Sequence, residues 1–172
     1  CATCDAPLFA GRDVAVIGGG NSGFEAALQL TKIANKIYLI ELSPKLHGDP
    51  IMLDKIEESG KVTIMTDTRT VAIYGENLVT GIKVVKGGRE ENLKVQGVFI
   101  EIGSIPSSEI IDFIEKNSVD EIIVNERCET SVRGLFAAGD VTCVPEKQII
   151  IAAGEGAKAA LSAFNYLSRQ ST

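Results

Sequence analysis

Asp13-Val14-Ala15-Val16-Ile17-Gly18-Gly19-Gly20-Asn21-Ser22-Gly23 is the stretch on which the fold turns. Val14 to Ile17 is a short apolar run, mostly β-branched, that stops at three glycines, the pattern of a strand buried on both faces. From Ser22 the period changes. Phe24, Ala27, Leu28 and Thr31 stand at i, i+3, i+4 and i+7, which predicts a helix to about residue 34. Ile37-Tyr38-Leu39-Ile40 then reads as a second strand, ending at Glu41. Strand, glycine turn, helix and strand make a βαβ unit, whose crossover is right-handed.

Gly18-Gly19-Gly20-Asn21-Ser22-Gly23 fits G-x-G-x-x-G. Glycine clusters also make plain turns, so the hexamer draws its weight from the strand before it and the helix after it. Gly18 permits the tight turn, Gly20 lets a diphosphate approach the backbone, and Gly23 lets helix and strand pack closely. The helix N-terminus presents unpaired N–H groups and a positive dipole end to the phosphates. Glu41 lies 18 residues beyond Gly23, near the spacing of about 20 for an acid that accepts from ribose hydroxyls. A carboxylate there accepts from the hydroxyls of NADH and repels the 2′-phosphate of NADPH. Leu42-Ser43-Pro44 supplies no arginine, and Lys45 is the residue that argues the other way.

Outward from this unit, Pro50 and Gly60 bracket a helix, and Val62 to Met65 reads as a third parallel strand. Strands at 70–74, 78–85 and 93–102, with turns at 75–77 and 87–90, predict an antiparallel meander. The fold class is therefore α/β: a Rossmann-like, three-layer nucleotide-binding domain with a β-meander, over residues 1–105. A composition break at Ser104 to Ser107 opens a second region, 106–172. There Ser108 is read as the cap of a short helix to Glu115. Residues 122–124 and 134–140 are read as short strands, and 152–169 as a long helix.

Across 172 residues, 45% hydrophobic and 23% charged is ordinary globular composition. A net charge of −6 and 5% aromatics argue against nucleic acid or an anionic membrane as partner. No apolar run reaches the roughly 18 residues a spanning helix needs, and no secretory signal is read. The expectation is an acidic, cytoplasmic domain. The chain opens at Cys1 rather than Met, which suggests a piece of something longer.

Cys1-Ala2-Thr3-Cys4 is a C-x-x-C. Beside a βαβ pattern it reads as a redox pair, with Asp5 placed to move protons during thiol–disulfide exchange. The rival is zinc, completed by Cys128 and Cys143, but their spacing of 15 is no knuckle, so no metal site is assigned. Those two cysteines read as small buried hydrophobes. His47, the only histidine, is read as a surface residue.

Three segments taken together, Cys1 to Asp5, Val16 to Ala27 and Gly134-Leu135-Phe136-Ala137-Ala138-Gly139-Asp140, resemble the low-molecular-weight thioredoxin reductase family of flavoprotein disulfide reductases. Cys128 to Thr130 and Lys147 to Ala159 are similar to its alkyl hydroperoxide reductase branch. The resemblance implies one domain for FAD and a second, inserted in it, for the nicotinamide nucleotide. Electrons would pass from NADH to flavin, to the C-x-x-C disulfide, and on to a thioredoxin-like protein or peroxiredoxin, in a homodimeric whole protein. Cys4 would face the flavin, Cys1 would attack the partner disulfide, and Asp5 would carry the proton. Gly139 and Asp140 would meet the FAD ribityl-pyrophosphate, with Gln148 and Ile149 near its ring; Gly103 is counted among the cofactor-binding positions. NADPH-dependent members carry a His-Arg-Arg cluster where this chain has Glu41-Leu42-Ser43, which favours NADH. Only one glycine fingerprint is present, and it follows the cysteines. Residues 106–172 would thus be the C-terminal part of a discontinuous FAD domain, and the chain would bind NADH at best weakly, hold FAD poorly or not at all, and expose apolar surface. An NADPH-dependent thioredoxin reductase and a non-catalytic NAD-binding redox sensor are the alternatives.

Overall fold

The structure, a computed structural model, describes residues 2–170; Cys1 lies outside the described residues. Helix α1 (Ala2–Asp5) and a 3-10 turn (Ala6–Phe9) lead into strand β1 (Asp13–Ile17), helix α2 (Asn21–Thr31) and strand β2 (Lys36–Ile40). Helix α3 (Pro50–Glu58) and strand β3 (Val62–Met65) follow. Next come β4 (Thr68–Tyr74), β5 (Gly81–Lys86), β6 (Arg89–Leu93) and β7 (Gly97–Ile100), and a final helix α4 (Ile149–Gln170). The chain divides after Gly103 into two compact units.

In the first unit, β3-β2-β1-β7 form a parallel sheet and β4-β5-β6 an antiparallel one. Alternation along each parallel strand sends side chains to two different cores. Val14, Val16, Ile37 and Leu39 pack with Phe24, Leu30 and Ile56 of α2 and α3. Ala15 and Ile40 pack instead with Ile82, Val84, Leu93 and Val95 from the meander side. The result is three layers: helices, parallel sheet, meander. Asp49 starts α3 by accepting the Ile51 amide, with Pro50 in the first turn.

The strand read at 78–85 begins only at Gly81, and two further details depart from the sequence reading. The meander turn is only Gly87-Gly88, both left-handed (φ 54° and 78°), a two-residue hairpin that lets Arg89 and Glu90 join β6. Residues 93–102 are not one strand. Leu93 pairs with Ile82 in the meander, whereas Gly97 to Ile100 pair with Val14 to Ile17. The crossing is held by the Gln96 amide donating to the Asp13 carbonyl at 2.8 Å and by Gln96 Oε1 accepting from the Asp13 amide at 2.9 Å.

The second unit is mostly turns and isolated bridges, Lys116 with Ile122, Ile122 with Thr142 and Glu129 with Phe136, followed by α4. Short regions read as strands at 122–124 and 134–140 are thus single bridges. No helix forms at 108–115. Ser108 Oγ donates to the Asp120 carbonyl at 2.6 Å rather than capping, and Ile110 and Phe113 are exposed, so no core draws a helix face inward. Helix α4 begins three residues earlier than predicted, at Ile149. Cys128 is fully buried, at φ 60°. Exposed Ile149, Ile150, Leu161, Phe164 and Leu167 give α4 a broad apolar surface. No described helix is long and apolar enough to cross a membrane.

Candidate functional site

Strand order puts β7 on one side of β1 and β2 on the other, so the connections from the carboxyl ends of β1 and β2 diverge from β7 there. Open α/β sheets bind ligands at that switch point. A cavity of about 580 Å³ lies here, lined by residues 17–22, 40–42, 68–70 and 101–103 together with His47.

The glycines are required by contact. Gly18 sits at φ 120°, and a Cβ on it would collide with the Glu101 carbonyl. A Cβ on Gly23 would run into the Gly18 carbonyl, so Gly23 serves the packing of α2 on β1 rather than the cavity wall. Around Gly20 there is open space, and no side chain caps α2. Phe24 N–H reaches the Gly20 carbonyl, which leaves the earlier amides of the first turn for a ligand. Thr70 Oγ1, on the cavity wall, is buried with no hydrogen-bond partner.

The segment after Glu41 is strapped to the glycine loop. His47 and Gly48 amides donate to the Gly19 carbonyl at 2.8 and 3.1 Å. The Asp49 amide donates to Asn21 Oδ1 at 2.8 Å. Gly48 lies flat against the Phe24 ring, where a Cβ would not fit.

Glu41 is held at three points. Its Oε2 accepts from the Gly19 amide at 2.7 Å, and its Oε1 from the Ser43 amide at 2.7 Å and Ser43 Oγ at 2.5 Å. Burial pushes its carboxyl up, but the Ser43 hydroxyl and amide and the Gly19 amide outweigh this and leave it below the usual glutamate range. It therefore stays anionic. Glu101 behaves oppositely: burial, reinforced by the like charge of Glu25, holds its carboxyl above the ordinary value. Arg69 is the one guanidinium on the cavity wall among the described residues, and Lys45 does not line it.

Of the residues singled out from sequence, Gly18, Gly19, Gly20, Asn21, Ser22, Glu41 and Gly103 share this cavity. Cys4 and Asp5 are exposed on α1, which is anchored by buried Ala2 and Ala6. Asp5 borders a smaller cavity of about 260 Å³ that also contacts Glu101. Gly139, Asp140, Gln148 and Ile149 belong to the second unit. Gly139 is left-handed at φ 80°, its carbonyl accepts from the Thr142 amide and hydroxyl, and Asp140 and Ile149 are exposed. Sequence reasoning passed over Ser43, His47, Thr70, Arg69 and Glu101. A serine two residues past the acid is the one signal that could have pointed to Ser43.

Open amides, an anchored acid and an unpartnered hydroxyl fit a dinucleotide, with diphosphate at Gly20 to Ser22 and adenosine ribose at Glu41. The second unit fits a flavin nucleotide only in part: it offers the acid and the turn, without a second glycine loop. A further cavity of about 620 Å³, bordered by Arg127, Arg133, Tyr166 and Arg169, lies in the second unit and contains no glycine loop.

Residues 1–160 match the family described as pyridine nucleotide-disulphide oxidoreductase. The chain is 45% identical over 176 residues to an alkyl hydroperoxide reductase protein from Escherichia coli, covering 100% of this chain and 34% of that protein. It is 46% identical to a Bacillus subtilis protein named NADH dehydrogenase, covering 98% of this chain and 34% of the other. Among solved structures, thioredoxin reductase from Streptococcus pyogenes superposes with a TM-score of 0.89 at 31% identity, over 98% of this chain and 56% of that one. The chain thus spans about a third of the length of the Escherichia coli and Bacillus subtilis relatives.

Proposed function

This chain belongs to the pyridine nucleotide-disulphide oxidoreductase family, and on that premise we propose that it is part of an NADH-dependent FAD flavoprotein disulfide reductase. The observation that carries the reading is Glu41, an anionic acid pinned beside a glycine loop with open amides. Glu41 accepts from the adenosine ribose, and the amides of the first turn of α2 hold the diphosphate. Glu101 and Gly103 line the same cavity. Gly139, Asp140, Gln148 and Ile149 would hold FAD, which when bound takes a hydride and passes on two electrons. Cys4 stands exposed for disulfide chemistry with Cys1, and Asp5 beside it moves the proton. The partner that fits is a thioredoxin-like protein or a peroxiredoxin, in the cytoplasm, where thiols are kept reduced. The hydroperoxide reductase name of the Escherichia coli relative supports the peroxiredoxin.

Arg69 on the cavity wall supports a second reading, NADPH, because a guanidinium suits a 2′-phosphate. Titrating the chain with each reduced nucleotide, followed by nicotinamide fluorescence, separates the two. NADH binding at least tenfold tighter is the expected result. Equal affinities, or tighter NADPH, would overturn the assignment. In the whole flavoprotein, Cys4→Ser should abolish reduction of the partner disulfide and leave flavin reduction by NADH intact.

A further inference from the structure

We propose that Ser43 is a positioning residue that rations Glu41, leaving it a single acceptor place and hence a grip on only one of the two adenosine-ribose hydroxyls. The inference rests on the dinucleotide reading above and deepens it.

A carboxylate offers about four acceptor places, two on each oxygen. Oε1 receives both the Ser43 amide and the Ser43 hydroxyl, so its two places are filled. Oε2 receives the Gly19 amide and keeps one. All three donors belong to residues whose backbone is itself fastened. Gly19 is bridged to His47 and Gly48, and the Ser43 carbonyl accepts from the Asp67 amide at 2.9 Å. A ligand cannot displace them cheaply.

The Ser43 hydroxyl has one hydrogen and more than one neighbour. Ser43 Oγ lies 2.9 Å from His47 Nε2, 2.9 Å from the Lys45 carbonyl and 2.5 Å from Glu41 Oε1. Of the two oxygen acceptors the charged carboxylate is the stronger, so the hydrogen goes to Glu41. Removing the Ser43 hydroxyl takes that donor away and opens a second place on Oε1.

The test uses ADP, 2′-deoxy-ADP and 3′-deoxy-ADP as probes, measured by calorimetry on the 172-residue chain. For the native sequence, one deoxy compound should bind as well as ADP and the other about tenfold or more weaker, the loss expected for a hydrogen bond to a charged group. In Ser43→Ala both deoxy compounds should lose affinity, because both hydroxyls are now gripped. Ser43→Thr keeps the hydroxyl and should restore the one-hydroxyl pattern, which a general loosening of the loop would not do. Equal losses for both deoxy compounds on the native sequence, or an unchanged pattern in Ser43→Ala, would overturn the proposal while leaving the dinucleotide site standing. Failure of ADP and NADH to bind at all would overturn the site itself, and this inference with it.

Discussion

Glu41→Gln removes one of two oxygens on which three donors converge. The amide group has a single acceptor oxygen, and its better orientation keeps that oxygen towards Ser43, where two donors sit. Its NH2 then faces the Gly19 amide, and that hydrogen bond is lost. A bond to a charged group is worth about 1.5–3 kcal/mol, and the two retained bonds become neutral, at roughly half their strength. Glu41 is only half-buried, so the lower end applies: about 1.5 kcal/mol for the lost bond and about 0.75 kcal/mol for each weakened one, about 3 kcal/mol together. With an m-value of about 2 kcal/mol/M for a domain of this size, the urea midpoint should fall by about 1.5 M at neutral pH. The difference should also depend on pH in one direction. The folded carboxyl sits below its ordinary value, so its stabilisation is complete above the unfolded-state pKa and is lost as pH falls through the folded one. Native and variant midpoints should converge in acid. A shift under about 0.2 M at neutral pH, or a gap that persists after the carboxyl has been protonated, would refute the reasoning.

Three more perturbations follow from single contacts. Gly23→Ala drives a methyl group into the Gly18 carbonyl, and calorimetry should register about 1–3 kcal/mol of destabilisation together with weaker NADH binding. Lys61 Nζ donates to the Thr31 and Ala34 carbonyls at 2.8 and 3.1 Å, closing the C-terminal end of α2; Lys61→Met should cost about 1 kcal/mol in urea unfolding. Glu101 is the opposite of Glu41, a carboxyl raised chiefly by burial, so its contribution worsens as pH rises through the window between its unfolded and folded values. Glu101→Gln should therefore raise the melting temperature at neutral pH and bring no gain in acid.

Much of the first unit was legible because its signals are local. Val14 to Ile17, the glycines after them and the 3.6-residue period from Phe24 specify strand, turn and helix without reference to the rest of the chain. Glu41 could be found by counting from Gly23. Residues 93–102 misled because both of the segments within them are strand-like. Only the two different partners, Ile82 for Leu93 and Val14 for Gly97, separate them, and partners are not written in a single stretch. The predicted helix at 108–115 failed for a related reason: its apolar residues Ile110 and Phe113 found nothing to pack against within their unit. Ser43 was illegible as a site residue because its bonds to Glu41, though only two residues apart, depend on how the loop after β2 turns back; His47 was illegible because its amide is tied to distant Gly19, and a lone histidine in a loop has no periodicity to read.

The most direct test of the dinucleotide site is a crystal structure of the chain grown with NADH. The account predicts the diphosphate against the amides of Gly20 to Ser22, the adenosine ribose on Glu41 Oε2, and Ser43 still bonded to Oε1. Nucleotide density elsewhere with the glycine loop empty, or Glu41 turned away into solvent, would contradict it.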